Sequence, residues 1–533
     1  MARKAATKRK TRSTGGKSTT AAAARKKTAA PDPAKAREVF TNALELHRTG
    51  DLDKAADAYS EAASLDPEFV EPLINSGVLL RGRGDLAAAI SRYEAALAIQ
   101  PGHAGAHYNL GNALKDSNEP DRAMTHFRQA LEIEPDYHTA RSSLAILLKD
   151  AGKLKEAEAL FDEVLVTHPD NADLRNALGV ILWESGRREA AIACYRRAMA
   201  AAPAMVHAPF NLANALMTIG RYDEALALYR RVITLDARYV GAYSGMGQTL
   251  TSMGRPDEAL GYLRKAQEIE PDHLDTRLGL ARAYLLKGDL LAGWEEYEWR
   301  WHRVDRKPRY QDRPVWDGKT PLKGRTVLLQ SEQGLGDSIQ FVRYIPLLRE
   351  QGATILLETQ PGLMRLFQCL EGVEKIIREG APAPDFDFRI PMLTLPKLFA
   401  TTFDNLPVQK RYLTPPSQPE LRLKPAVNRA IRVGIAWAGR PEHKNDHNRS
   451  VGLHRFIELT EIDGIEFRSL QKGRGESDIA KLSCATVLAD CSPELFDMAD
   501  TANIIDQLDL VITVDTSIAH LAAALGKAVW VLT

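Results

Sequence analysis

The chain is 533 residues long, 44% hydrophobic and 26% charged, with a formal net charge of +1. That length exceeds one core and allows about three units at roughly 150 residues each, and the charge balance gives no global pull toward nucleic acid or an anionic membrane. No run approaches the ~18 apolar residues of a membrane-crossing helix, and Cys194, Cys369, Cys484 and Cys491 have no CxxC or metal spacing, so a metal-free cytoplasmic protein is expected.

Residues 1–35 are rich in Lys, Arg, Ala, Thr and Ser, with Asp32 the only acid. The segment lacks the apolar stretch of about 7–15 residues that a secretory signal needs. A transit peptide or a nucleic-acid patch would share its composition. The plainer reading is a disordered basic tail, and nucleic acid is not expected as a partner.

Residues 36–301 repeat. Glycines recur at Gly50, Gly84, Gly152, Gly186, Gly220, Gly254 and Gly288, every gap being 34 or twice 34, and Asn118 fills the vacant step. Asn is the other residue that readily takes the left-handed conformation of a helix C-cap. Three columns keep the same step. A small residue runs from Ala43, Gly77 and Gly111 to Ala281, a second from Ala55 to Ala259, and an aromatic from Tyr59 and Tyr93 through Phe127 to Tyr229. A proline closes most units, with Ala237 in one slot, because proline cannot continue a helix. Small residues allow close helix approach, and the aromatic is expected to fill the gap against the next unit. The pattern resembles the tetratricopeptide-repeat (TPR) family, with about eight units, and predicts an α-solenoid with a concave groove.

Asn75, Asn109, Asn176 and Asn211 lie near the starts of first helices. Amides both donate and accept, so such a ladder could grip the backbone of an extended peptide; exposed polar positions without a role are the alternative. The last unit is aromatic, with Trp294, Tyr297, Trp299 and Trp301 where a solvent-facing cap would be polar. This end is expected to pack on the C-terminal region.

Residues 302–324 read as a connector. β-like runs then alternate with helical stretches at Thr326–Leu329, Thr354–Leu357, Ile431–Ala436, Glu466–Leu470, Leu510–Val514 and Val529–Leu532, which predicts parallel sheets. A Pro-rich linker, 415–430, divides an N-terminal Rossmann-like half (325–414) from a C-terminal half (431–533). In the first half a strand runs into Gln330-Ser331-Glu332-Gln333-Gly334-Leu335-Gly336-Asp337 and a helix. Gly334 and Gly336 permit close backbone approach; Asp337 reads as a helix N-cap or as a general base, and spacing alone favours the cap. In the second, Leu510–Val514 leads to Asp515-Thr516-Ser517 and a helix containing His520, which sets hydroxyls at a helix N-terminus suited to an anion. His520 can face the same cleft, although a lone helical histidine is more often structural.

The two turns resemble the GLGD turn and the D-T-x-x-x-H phosphate motif of the ADP-heptose–lipopolysaccharide heptosyltransferase superfamily, a metal-independent inverting GT-B group, over roughly 325–533. The pairing with TPR units recurs in bacterial proteins. The resemblance implies that Asp337 is the base, that Asp515, Thr516, Ser517 and His520 surround the donor diphosphate, and that Lys444 or Arg449 supplies a cation. Ser517 stands where that family usually has glycine, and related domains continue beyond the strand at which this chain stops, so the second half is read as cut short. The expected function is transfer of a hexosyl or heptosyl group from a nucleotide-sugar to a protein or peptide held in the TPR groove, with no further cofactor. The alternative is a non-catalytic TPR adaptor with a degenerate transferase domain.

Overall fold

A computed structural model describes residues 31–303, 308–424, 431–440, 446–460, 462–473, 475–481 and 488–532. It divides into two compact units, Met1–Ser185 and Gly186–Thr533, so the later repeats share a body with the α/β region. Among the described residues no helix is long and apolar enough to cross a membrane.

The first unit is a series of helices from Pro33–Thr49 to Ala172–Glu184. Its start corrects the boundary expected at residue 36. The Asp32 carboxylate accepts from the Lys35 N–H at 3.1 Å and Pro33 takes the first helical position, so the end of the basic segment is already helical. Asn118 holds φ 63, left-handed as its place in the glycine series requires.

The small-residue column works as expected, with one difference in what it faces. A methyl group added at Gly77 would lie 2.5 Å from Tyr93 Cε1, and one at Gly111 would lie 2.7 Å from Phe127 Cε1. The buried rings therefore lie on the first helix of their own repeat rather than only against the next. In the second unit the Tyr229 ring does reach forward, to Gly245 of the following repeat.

The second unit continues with helices from Arg188–Ala201 to Leu290–Tyr297 and a 3-10 turn, Glu298–His302. Two parallel sheets come next. Strands β1 (Thr326–Gln330), β2 (Thr354–Thr359), β3 (Val373–Arg378) and β4 (Phe388–Pro391) are ordered β3-β2-β1-β4. Strands β5 (Ile431–Ala436), β6 (Ile465–Ser469), β7 (Leu488–Asp490), β8 (Leu510–Val514) and β9 (Ala528–Leu532) are ordered β7-β6-β5-β8-β9. Strand order reverses beside β1 in the first sheet and beside β5 in the second. In open α/β sheets the crevice at such a switch point, at the C-terminal strand ends, is where ligands sit.

The stretch read as a connector is part of the fold. Val315 bridges to Arg389 of β4, the Trp316 N–H donates to the Arg389 carbonyl at 3.1 Å, and the Trp316 ring is buried. Charge and proline content hid this anchor. One hydrophobic core then runs from Val327 and Leu329 through Ala499 and Ala502 to Val511 and Leu521, so the two halves are fused.

Asp500 ties that seam. Its carboxylate, 3% exposed, accepts from Gln418 Nε2 at 2.8 Å, from the Phe496 and Asp497 N–H groups at 3.0 and 3.1 Å, and from Arg365 at 3.1 Å. Burial pushes the carboxyl up, but these donors together hold it below its ordinary 3.8. A carboxyl held low contributes stability above its unfolded pKa and loses it as pH falls through the folded value. Asp500→Asn is therefore expected to cost about 1–3 kcal/mol at neutral pH. The gap to wild type should close as pH drops below 3.8, which urea midpoints at neutral and acidic pH would register.

Candidate functional site

The first turn leaves β1 at Gln330 and enters the helix Leu335–Phe341. Within it Gly334, not Asp337, is the N-cap: Asp337 is the third helical residue, and its carboxylate reaches back to accept from the Gly334 N–H at 3.0 Å. The end of β2 supports the same turn. Ser338 donates to Gln360 Oε1 at 3.0 Å, and Gln360 Nε2 donates to the Gln333 carbonyl at 2.7 Å.

The second turn leaves β8 at Val514. Asp515 is exposed, Thr516 caps the helix Ser517–Ala524 by accepting from the Ile518 N–H at 3.4 Å, and Ser517 and His520 are half-buried. The two turns meet. A methyl group at Gly336 would fall 2.8 Å from His520 Cδ2 and 3.4 Å from Ser517 Cα, so Gly336 lies directly against the start of the second helix. Both turns follow the strands at which one would look for a ligand. β1 adjoins the first switch point, and β8 pairs with β5 across the second.

The loop after β5 is held by Gln471, whose Oε1 accepts from the Trp437 and Ala438 N–H groups at 3.0 and 2.9 Å. Arg449 ends the short helix Asp446–Arg449 that follows, with its Nε 3.8 Å from Asp446 Oδ1, folded over Gly439. Lys444 lies outside the described residues, as do residues 1–30 of the basic segment and Cys484. Among the described residues no three His, Cys, Asp or Glu side chains converge as a metal site.

Chemically, the arrangement sets a carboxylate (Asp337) and an imidazole (His520) around a glycine contact. It adds hydroxyls at a helix N-terminus, whose dipole and free N–H groups favour a negative ligand. Tyr297 closes the side facing the repeats. Its hydroxyl accepts from Gln333 Nε2 at 2.6 Å, and burial, with the charges of Asp337 and Glu332 adding, raises it above the ordinary tyrosine range against the pull of Gln333 and Arg300.

Several residues of this region were not singled out by the sequence. Arg300, 2% exposed, donates to both Glu332 carboxylate oxygens at 2.9 and 3.2 Å and to Thr394 at 2.7 Å. Glu332 also accepts from the Leu393 N–H at 2.9 Å. A cavity of about 220 Å³ opens at the ends of β1, β2 and β4, lined by Arg300, Trp301, Arg309, Ser331, Glu332 and Glu358 among others. Glu358 pairs there with Arg309 and accepts from Gln330 Nε2 at 2.8 Å. The available signal was Arg300 inside the aromatic cap stretch; its partner 32 residues away had none.

The asparagines divide between the units. Asn75, Asn109 and Asn176 belong to the first and Asn211 to the second, each half-buried on a first helix. Asn75, Asn109 and Asn211 keep the 34-residue register, whereas Asn176 lies one residue out of it, which turns its position about 100° around the helix. The expected ladder is thus broken at that rung.

Models of the tetratricopeptide repeat match residues 40–104, 80–144, 114–181, 176–239 and 250–290. The helical array is a tetratricopeptide-repeat array. TPR arrays bind peptides and proteins, since their stacked helices present an extended surface to a partner. The chain is 24% identical over 282 residues to the protein FlbA of Caulobacter vibrioides, covering 48% of this chain and 47% of that one. It therefore spans about half the length of the curated relative it matches. Among solved structures, a TPR protein of Parabacteroides merdae is 18% identical, covers 46% of this chain and 98% of its own, and has a TM-score of 0.41. The Cut9–Hcn1 complex of the APC/C is 16% identical, with coverage of 45% and 48% and a TM-score of 0.39.

Proposed function

We propose that this TPR protein is an inverting, metal-independent glycosyltransferase of GT-B type, whose repeats hold a protein or peptide acceptor while the α/β region holds a nucleotide-sugar. The observation that carries this reading is the contact of Gly336 with Ser517 and His520. It joins two glycine- and hydroxyl-bearing turns, distant in the chain, at the C-terminal ends of two parallel sheets. In this reading Asp337 takes the proton from the acceptor hydroxyl as that oxygen attacks the anomeric carbon. The N-terminus of Ser517–Ala524, with Asp515, Thr516, Ser517, His520 and Arg449 around it, receives the departing diphosphate. Lys444 is a further candidate cation.

Asp337 also has a structural role in hand, through its hydrogen bond from Gly334. Asp337→Asn separates the two roles because the asparagine amide oxygen can still accept from the Gly334 N–H at the third helical position, whereas the amide cannot act as the base. Labelled-sugar transfer by the full chain should fall about 10²–10⁴-fold in this variant, with stability within about 0.5 kcal/mol of wild type. Equal transfer by wild type and variant would favour the adaptor reading, in which the repeats bind a partner and the turn is only a fold element.

A further inference from the structure

The residues on either side of the Gly334–Asp337 turn are gripped by the end of the repeat array. On its entering side, Glu332 is held by the Arg300 guanidinium and Gln333 by the Tyr297 hydroxyl. On its leaving side, the Phe341 ring meets the Trp294 ring edge-on, with centroids 5.6 Å apart. Between these points the turn touches the second half, at Ser517 and His520. The turn is thus suspended between the repeats and the second sheet's helix.

The Arg300–Glu332 pair, whose guanidinium also holds the partly buried Glu298 carboxylate, is an expensive way to gain stability alone. Desolvating two buried charges offsets most of their attraction, and apolar replacements of similar volume are often neutral or better. A guanidinium fork on a carboxylate does define an orientation, which an ammonium group cannot. Arg300 adds to this a hydrogen bond to Thr394 in the segment after β4, and its guanidinium lies 4.6 Å over the Trp301 ring. It therefore fixes the ends of β1 and β4, the two strands that flank the first switch point, to one another and to the last repeat.

We propose that Arg300 and Tyr297 are positioning residues, through which the end of the TPR array sets the Ser331–Asp337 turn. The last repeats and the turn then move as one piece, so a partner held by those repeats is held in register with the turn. The catalytic half of this inference rests on the transferase reading; the mechanical half does not.

The test uses the full chain as wild type, Arg300→Met, Arg300→Lys and Tyr297→Phe, with amide hydrogen exchange read peptide by peptide and labelled-sugar transfer measured alongside. Exchange across residues 332–341 should rise about tenfold or more in Arg300→Met, while the helix Met498–Ile505 keeps its wild-type protection. Arg300→Lys should restore the charge but not the protection, because it lacks the fork. Tyr297→Phe removes one hydroxyl and serves if the Arg300 variants do not fold; it should loosen the same peptide by about threefold or more. In transfer, kcat should drop about tenfold or more with the donor KM within about twofold, the mark of a displaced turn rather than a lost donor contact. Unchanged exchange at 332–341, or a rise spread equally over the unit, overturns the proposal. A loosened turn in a chain that transfers no sugar even as wild type upholds the positioning role and removes the transferase reading.

Discussion

Phe127→Ala is expected to destabilise the first unit by about 3–5 kcal/mol, the range for deleting a fully buried aromatic ring. The ring is inaccessible to solvent and lies on the backbone of its own repeat at Gly111, where a methyl group would come within 2.7 Å of it. Its loss therefore unseats the helix Ala104–Asp116 from Pro120–Ile133. In a repeat array each unit contacts only its neighbours, so damage of this size should open repeats locally before the remainder unfolds. Hydrogen exchange in urea should show residues 104–133 losing protection at lower denaturant than the helices of the second unit. Gly111→Ala makes the opposite error, overfilling the contact, and should cost about 1–3 kcal/mol. If Phe127→Ala lowered every helix by the same amount, the one-dimensional view of this unit would be wrong.

How far each feature was legible in the sequence depends on how it is encoded. The solenoid was readable because the same constraint is written eight times over; a single Gly50 or Tyr59 says little, but their columns cannot drift out of phase. β1, β5 and β8 were readable because they are central strands, buried on both faces, and so appear as near-continuous apolar runs. The strands not anticipated lack that signal. β3 is an edge strand exposing Glu374 and Lys375, β4 spans four residues and ends at Pro391, and β7 spans only three. The glycine turns showed themselves, since close backbone approach leaves a compositional trace. The Arg300–Glu332 and Arg309–Glu358 pairs did not, because ion pairs between distant segments carry no local period. Asn176 shows the reverse hazard: a residue type recurring at nearly the right spacing, yet about 100° off the face.

Gly336 is where fold and proposed chemistry meet most closely, and its replacement should have the largest functional effect. A methyl group there would sit 2.8 Å from His520 Cδ2 and 3.4 Å from both His520 Nε2 and Ser517 Cα. The imidazole can swing aside, but the Ser517 backbone is the first turn of a helix capped by Thr516 and packed into the shared core through Leu521. Either His520 leaves its place or the two turns separate. Gly336→Ala should cost about 1–3 kcal/mol of stability by overpacking. In the transferase reading it should lower transfer by about 10²-fold, the usual consequence of misplacing reacting groups by 1 Å. The contact itself can be tested without any substrate. His520→Ala vacates the space that the new methyl group needs, so Gly336→Ala with His520→Ala should be more stable than the sum of the single losses by about 1 kcal/mol or more. Additivity within about 0.3 kcal/mol would mean that the two turns do not touch in solution, and the transferase reading would lose the observation on which it stands.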